Sequence, residues 1–418
     1  MLDHDAKSAP SASTPSWRLR AYPVALLVGL GIALIVMAIA ANNSDAPAAT
    51  VGGDFPAFYG AALIAADGDW DNLYDFDRQV EAQADLQESA ESARYFAYPP
   101  QVALAHAPLA SLNYGAAYVV YSAVMLALLV AAIWLAEPML PWLRGRRWLM
   151  TVVALSFWPM LRAVTGGSNT AITVFVIVAA WRLIEEDREI AAGLVLALLL
   201  AKPQLAVPLV GLMLVIGLYR VVVGASIGAV AFYLSGVPLG GLSWPLDWWD
   251  TATTFGRIDS EVNGYSSVSW LGFLENALGV GDVAAVTVGW GLAVLTSLAL
   301  VWIWRRYAVA GRAKNSLGTL LAVAMPGILL LSPHALSHDT AIILVTLAVL
   351  HSAGQLPRWL LGTVWALALS QQWIRTIGFS PGFFMLLLVG WWVVTRLVLA
   401  DGSESGARIE TSHQQTSA

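Results

Sequence analysis

Long apolar runs recur along almost the whole of this chain, and they restrict it to a fold embedded in a membrane. Hydrophobic residues make up 58% of the 418 residues and charged residues only 12%, about half the charged share of a soluble domain. Runs of roughly 17 to 25 apolar residues cross a bilayer as helices. We predict an all-α polytopic membrane protein of about twelve transmembrane helices, some of them short, at 24–41, 116–136, 149–164, 170–183, 191–200, 205–218, 221–236, 283–304, 317–331, 340–351, 359–373 and 383–398.

The basic residues are divided unevenly between the two ends of these runs. With the N-terminus inside, threading alternate spans places 16 of the 22 Lys and Arg residues in the cytoplasm, as the positive-inside rule requires. This predicts a multi-pass protein of the plasma membrane with both termini cytoplasmic. The threading holds only if residues 99–112 enter and leave on the outer side, which is allowed where protein or water covers the backbone.

The chain divides into two tails and one membrane domain. Residues 1–20 and 401–418 are polar and predicted to be disordered cytoplasmic tails. Residues 21–400 form a transmembrane domain with two long extracytoplasmic loops, 42–98 and 239–267.

The first of these loops is strongly acidic, with eleven acidic residues against two basic ones. Within it, 55–66 and 76–93 are predicted as helices, the second lying along the membrane surface. In the second loop, Trp248 and its neighbouring tryptophans are suited either to an interfacial belt or to stacking on a sugar ring.

Several functions are excluded by composition. A net charge of -6 with scattered basic residues offers no surface for nucleic acid. The absence of cysteine removes disulfides and thiolate metal sites. His334 and His338 are four residues apart but have no evident third ligand, and the acidic run 67–71 lacks the Gly and Glu of a calcium loop, with Asn72 and Arg78 in their places. We expect no metal and no cofactor.

A series of short motifs occurs in a fixed order along the chain. Residues 53–62 read Gly-Asp-Phe-Pro-Ala-Phe-Tyr-Gly-Ala-Ala, 72–75 read Asn-Leu-Tyr-Asp, and 98–100 read Tyr-Pro-Pro. Gly-Ser-Asn at 167–169, Ala-Lys-Pro-Gln at 201–204, Leu-Ser-Pro-His at 331–334 and His-Asp at 338–339 follow. In order and spacing these motifs resemble glycosyltransferase family 87 over about residues 50–345, although Ser168 replaces the Gln of that family's Gly-Gln-Asn element.

The resemblance implies an enzyme of the GT-C superfamily, whose members are integral-membrane proteins that use lipid-phosphate-linked sugars at the extracytoplasmic face. It implies transfer of a hexosyl group, with mannosyl favoured, from a polyprenyl-phosphate sugar to a hydroxyl of a lipid or surface-glycan acceptor, with inversion. The partners implied are that donor, that acceptor and the surrounding membrane lipids.

Two other classes of function stay open at this point. A secondary transporter or flippase for a polar or lipid-linked solute also suits twelve spans, but transporters place polar groups near the bilayer midplane in broken helices. Here the charged residues gather at the ends of the apolar runs. A noncatalytic assembly subunit gives no reason for chemically active residues to meet at one surface.

Asp54 is the candidate catalytic base. It follows two glycines at the outer end of the first apolar run, where the backbone can approach a substrate closely and a carboxylate can accept a hydroxyl proton. The alternative is that Asp54 caps a helix that begins near Pro56.

Four basic residues on the outer side are candidates for binding the donor phosphate. Lys202 stands between an apolar helix and Pro203, a position that is costly for a lysine unless it is paired or functional. Snorkelling to the interface is the alternative for such residues. The four candidates are Lys202, His338, Arg162 and Arg375.

The remaining motif residues are candidates for lining a substrate groove. Tyr98 and the two prolines after it predict a rigid extended corner before residues 101–112. The candidates are Tyr59, Tyr98, Pro99, Pro100, Gln101, Asn169, Gln204, His334, Asp339 and Trp248.

Overall fold

The protein is all-helical, as predicted. A computed structural model describes residues 21–26, 28–29, 32, 52–86, 93–311 and 314–399. Within these ranges it has no β-strand, and one isolated antiparallel bridge joins Ser267 to Leu336. Both predicted tails and most of the first predicted span lie outside the described residues.

The described α-helices follow one another with short connections, several of which are 3-10 turns. In chain order they are α1 Phe55–Ala66, α2 Phe76–Ala82, α3 Pro100–His106, α4 Tyr114–Ala136, α5 Arg147–Ser156, α6 Trp158–Thr165, α7 Thr170–Glu185, α8 Glu189–Leu196, α9 Pro203–Val215, α10 Tyr219–Gly240, α11 Trp244–Asn263, α12 Trp270–Leu278, α13 Val283–Val309, α14 Leu317–Leu331, α15 Ile343–Ser352, α16 Arg358–Ser370, α17 Ile374–Ile377 and α18 Pro381–Val393.

Five of the described helices are long and apolar enough to cross a membrane. They are α4, α10, α13, α14 with the turn before it (Lys314–Leu331), and α18 with the turn after it (Pro381–Val398). Shorter apolar helices such as α9, with 13 residues, extend only about 20 Å, less than the hydrocarbon thickness. The structure thus supports a membrane protein with several spans, while a total of about twelve stays a prediction.

One predicted span is broken in the structure. Residues 149–164 form α5 and α6, which meet at Phe157 at an angle of 91°. Pro159 has no N–H to continue the hydrogen-bond ladder of α5, and Phe157 adopts an extended conformation between the two helices. The break turns α6 toward the site described below.

The second helix predicted in the first outer loop is much shorter than expected. α2 ends at Ala82 instead of continuing to 93, because the buried side chains of Gln79 and Gln83 bind the returning chain. Phe96 N donates to Gln79 Oε1 at 2.7 Å, and Arg94 N donates to Gln83 Oε1 at 3.1 Å. The predicted helix 55–66 is observed with those bounds as α1.

Residues 99–112 form two short helices packed against α1. The seven residues of α3 are followed by a 3-10 helix, Ala107–Ser111. Either piece is too short to cross a bilayer, and α4 begins directly afterwards. A path that enters and leaves on the outer side stays a prediction.

The second predicted outer loop is mostly helical. Residues 244–263 form the 20-residue helix α11, where the sequence predicts a loop. Pro245 near its start has the backbone φ of a first helical turn and no N–H to leave unpaired. α11 follows α10 through Gly241, whose φ is +71°.

Loops with the same predicted location contact one another. At one end, Lys314 pairs with Asp187, and the rings of Trp142 and His351 lie 4.5 Å apart. All of these residues are predicted to be cytoplasmic. At the other end, the motif residues of the outer loops meet. These contacts agree with the threading at the residues named, while the division of the loops between two membrane sides stays a prediction.

Candidate functional site

The first motif and the Gly-Ser-Asn motif dock against each other through backbone atoms. Asp54 N donates to Gly166 O at 2.9 Å, and a Cβ on Gly167 would lie 2.3 Å from Phe55 N. Gly167 also has a φ of +72°, which side chains disfavour. Glycine at 167 is therefore required twice, by the close approach and by the backbone conformation.

Gly167→Ala is expected to lower stability by more than the strain at φ alone, which is about 1 to 3 kcal/mol. The matched control is Gly68→Ala, since Gly68 has the same φ of +72° but nothing within 4 Å of its Cβ position. The melting temperatures of both variants in detergent give the comparison. Equal losses would show that the approach of the two motifs is not tight.

Asp54 stands at the start of α1, yet its carboxylate does not cap the helix. Its side chain accepts no capping hydrogen bond and is exposed. Backbone contacts to the 166–167 turn fix its position, so the carboxylate is held in place and makes no hydrogen bond with the residues that the structure describes. The capping alternative is not realised in this structure.

Arg162, on α6, lies beside this turn. A Cβ on Gly53 or on Gly166 would lie 3.1 Å from Arg162 Nη2, so the two glycines make room for the guanidinium. The guanidinium makes no hydrogen bond or ion pair with any described residue. An unpaired guanidinium can bind two oxygens of a phosphate.

Lys202 and Asp339 form a buried ion pair across the fold. Lys202 Nζ donates to Asp339 Oδ1 at 2.8 Å, and the two residues are 8% and 6% exposed. Asp339 Oδ1 also accepts from Thr170 Oγ1 at 2.9 Å, and Oδ2 accepts from Leu336 N at 3.2 Å. This carboxylate thereby joins the Gly-Ser-Asn, Lys-Pro and His-Asp motifs.

The pair stays charged despite its burial. Burial by itself lowers the pKa of Lys202, but Asp339, with smaller effects of Tyr98 and Asp54, raises the pKa above its usual value. Burial by itself raises the pKa of Asp339, yet the charges of Lys202 and His338 hold it well below its usual range. The charge of Lys202 is therefore balanced by Asp339, whereas Arg162 has no acidic partner among the described residues.

Tyr98 lies near both Asp54 and the Lys202–Asp339 ion pair. Burial raises the pKa of its hydroxyl, and Lys202, Asp54 and Asp339 all lie close enough to act on that pKa. The Tyr98 hydroxyl also interacts with the side chain of Asn169. The groups from 54, 98, 169, 202 and 339 thus share one region of the outer end.

The two histidines of the late motif face different carboxylates. His338 Nε2 lies 3.8 Å from Asp339 Oδ2, whereas His334 Nε2 lies 3.7 Å from Asp259 Oδ2 on α11. Burial lowers the pKa of His334, and the Asp259 charge opposes this effect. No three His, Cys, Asp or Glu residues in the described ranges are placed to hold a metal ion.

Three predicted site residues are used elsewhere in the fold. Tyr59 is buried and its hydroxyl donates to Leu112 O at 2.7 Å. The Gln101 amide donates to Phe232 O on α10 at 2.5 Å. Arg375 is exposed and donates to Tyr265 Oη at 2.8 Å. Their side chains make no direct contact with the Lys202–Asp339 pair, which departs from the predicted grouping.

The other groove candidates lie next to the pair or to the Tyr98 corner. Pro99 and Pro100 are buried at the start of α3, and the Trp248 indole donates to Ala97 O at 3.1 Å. Gln204 is half-buried two residues after Lys202. These residues surround the same region.

Sequence reasoning missed Thr170 and Asp259. Thr170 binds Asp339 but reads as the first residue of an apolar helix, so its spacing gives no signal. Asp259 is buried on a helix that the sequence presents as a polar loop. Asp259 stands 75 residues before His334, and no local sequence pattern links two residues so far apart.

This arrangement combines two kinds of cation with a carboxylate that has no hydrogen bond among the described residues. Asp54 can accept a proton from a hydroxyl, Arg162 can bind an anion directly, and Lys202 adds positive charge from behind its pair with Asp339. Such a set can support attack by a hydroxyl and departure of a phosphate.

A family model described as glycosyltransferase family 87 matches residues 96–333. The matched range is more than half of the chain and includes Tyr98, Arg162, Asn169 and Lys202, while Asp54 and Asp339 lie outside it. Neither a curated protein nor a solved structure matches the chain.

Proposed function

Because this chain belongs to glycosyltransferase family 87, we propose that it transfers a hexosyl group, mannosyl in the first place, from a polyprenyl-phosphate sugar. The acceptor is a hydroxyl of a lipid or surface glycan, and the reaction takes place at the extracytoplasmic face of the plasma membrane. That the protein is a membrane glycosyltransferase follows from its family and its apolar helices.

One observation carries the proposed chemistry: Asp54 is exposed and near enough to act on the charge of Lys202, and Arg162 lies against the same turn. Neither the Asp54 carboxylate nor the Arg162 guanidinium has a hydrogen-bond or ion-pair partner among the described residues. A base for the acceptor and positive charge for a departing phosphate are the two requirements of this transfer.

The proposed reaction is a single displacement with inversion. Asp54 removes the proton of the acceptor hydroxyl while the hydroxyl oxygen forms a bond to the anomeric carbon. The bond from that carbon to the phosphate oxygen breaks on the opposite face, and its electron pair leaves with the lipid phosphate. Arg162 binds the phosphate oxygens, and Lys202 and His338 stabilise the charge from the Asp339 side.

In the proposed step, Arg162 replaces Lys202 as the residue that contacts the phosphate directly. The sequence favours Lys202 as the main phosphate ligand, but its ammonium is bound to Asp339. Arg162 has no such partner among the described residues and becomes the first candidate for direct contact. Arg375 lies against Tyr265 and has no part in the proposed step.

The test incubates the purified protein with radiolabelled polyprenyl-phosphate mannose and a membrane lipid extract. We expect label in a new lipid or glycan product and release of polyprenyl phosphate. The same protein in proteoliposomes is given free and lipid-linked solute. Movement of solute across the bilayer without any new product would contradict the proposal and favour a transporter or flippase.

A further inference from the structure

Helix α11 connects two sides of the site. In its first half, Trp248 Nε1 donates to Ala97 O, directly before Tyr98, at 3.1 Å. Near its end, Asp259 Oδ2 lies 3.7 Å from His334 Nε2. These two positions on the helix are about 16 Å apart. α11 therefore bridges the region in which Tyr98, Lys202 and His334 interact.

Several other residues of α11 are exposed, while Trp244 and Thr251 are 4% and 7% exposed and therefore buried, and Trp244 Nε1 donates to Tyr233 O on α10 at 3.0 Å. Leu246 and Trp249 are 73% and 60% exposed, and the acidic side chain of Asp250 is exposed as well. The two contacts at Trp248 and Asp259 are thus polar links between a surface helix and the site. Trp244 against Tyr233 and Phe255 against His334 also hold the helix, so we expect the loss of one polar link to loosen that end of α11 without releasing it.

The contact at Asp259 is built into the interior. Asp259 is 9% exposed, and its Oδ2 accepts no hydrogen bond from any described residue. Oδ1 accepts from Asn263 on the next turn at 2.7 Å. His334 is therefore the group that faces the remaining oxygen. Beyond α11, Val268 N donates to Ala335 O at 2.9 Å, which fixes the following segment against the same loop.

We propose that α11 is a cover over the donor side of the site, with Trp248 and Asp259 as positioning residues at its two ends. The inference rests on the proposed function. Asp54 is exposed, so the acceptor approaches from its side while α11 keeps water from the sugar. Exclusion of water protects a reactive donor from a side reaction.

That side reaction is hydrolysis. A water oxygen forms the bond to the anomeric carbon in place of the acceptor hydroxyl, and the bond to the phosphate oxygen breaks. The electron pair leaves with the lipid phosphate, and the water proton passes to the base. The products are free hexose and polyprenyl phosphate, with no oxidant or further reactant needed.

The experiment measures how cleaved sugar divides between acceptor and water in the purified full chain, supplied with radiolabelled polyprenyl-phosphate mannose and lipid extract. Trp248→Phe removes the N–H donor, and Trp249→Phe is its exposed neighbour and control. Asp259→Asn removes the charge facing His334, and Asp250→Asn is its control on the same helix. We expect the ratio of free to transferred hexose to rise about fivefold in Trp248→Phe, the effect of losing one hydrogen bond. We expect it to rise in Asp259→Asn as well, because the charge facing His334 is lost, and to stay unchanged in both controls.

A second readout does not depend on catalysis. The chain has no cysteine, so Gln204→Cys introduces a single thiol beside Lys202. We expect a water-soluble thiol reagent to label it faster when Trp248→Phe is added than when Trp249→Phe is added. Equal labelling together with equal product ratios would overturn the cover and leave the proposed function standing. A wild-type protein that forms no product would overturn the proposed function, while the labelling rates still decide whether α11 covers the site. If Asp259→Asn fails to fold, the comparison of Trp248→Phe with Trp249→Phe decides whether α11 covers the site.

Discussion

Asp54→Asn is expected to lower the rate of sugar transfer by about 10²- to 10⁴-fold, the usual contribution of a general base. The substitution keeps the size of the side chain and the backbone bond to Gly166, so the fold and donor binding are retained. Transfer from radiolabelled polyprenyl-phosphate mannose measures the rate, and retention of the donor on immobilised protein measures binding.

The control for this prediction is Asp77→Asn. Asp77 is an exposed acid of the same outer region, and we expect its variant to transfer sugar at the wild-type rate. Full turnover by Asp54→Asn would remove this carboxylate from the mechanism, whatever the behaviour of the control.

Variants of the Lys202–Asp339 pair are expected to differ in their effects on stability and on activity. Lys202→Met or Asp339→Leu alone leaves one buried charge without its partner, which costs about 3 to 5 kcal/mol. The double variant replaces both charges by apolar groups of similar size and should regain most of that loss. We expect it to remain inactive, because the Lys202 ammonium proposed to stabilise the departing phosphate is gone. Unfolding midpoints in detergent and transfer rates are measured on the same preparations.

The exposed pair of Arg78 and Asp67 is the comparison. Its nitrogen–oxygen distance is 3.0 Å and the Asp67 side chain is 64% exposed, so Asp67→Leu should cost at most about 1 kcal/mol. A stable double variant of Lys202 and Asp339 that transfers sugar normally would show that the buried pair only holds the fold together.

Local patterns account for the parts of the structure that were predicted well. The helix at 55–66 begins after Asp54 and near Pro56, residues suited to a helix start, and its bounds agree with the structure. The helix predicted at 76–93 ends at Ala82 because Gln79 and Gln83 bind chain segments 11 to 17 residues away. Side-chain bonds of that kind leave no trace in helical periodicity.

The candidate site divides in the same way. Asp54, Lys202 and Asp339 are chosen by residue type and motif order, and the structure brings them into one region. Tyr59 and Gln101 carry equally suitable groups, but their hydroxyl and amide bind backbone carbonyls of the fold. Sequence gives the chemical capacity of a side chain and does not show which partner uses it.

The sequence by itself determined the membrane-embedded helical class and the family resemblance, and it predicts the separation of basic loops from motif loops. These follow from composition, run length and spacing, which are local or summed properties of the chain. The tertiary structure alone decided that Asp339 pairs with Lys202 from 137 residues away, and that the Arg162 guanidinium lies beside Gly53 and Gly166 without a partner among the described residues. It also decided that α11 contacts Ala97 through Trp248 and His334 through Asp259. Pairing over such separations depends on how helices pack against one another, because burial sets both which charges must find partners and which are left for a ligand.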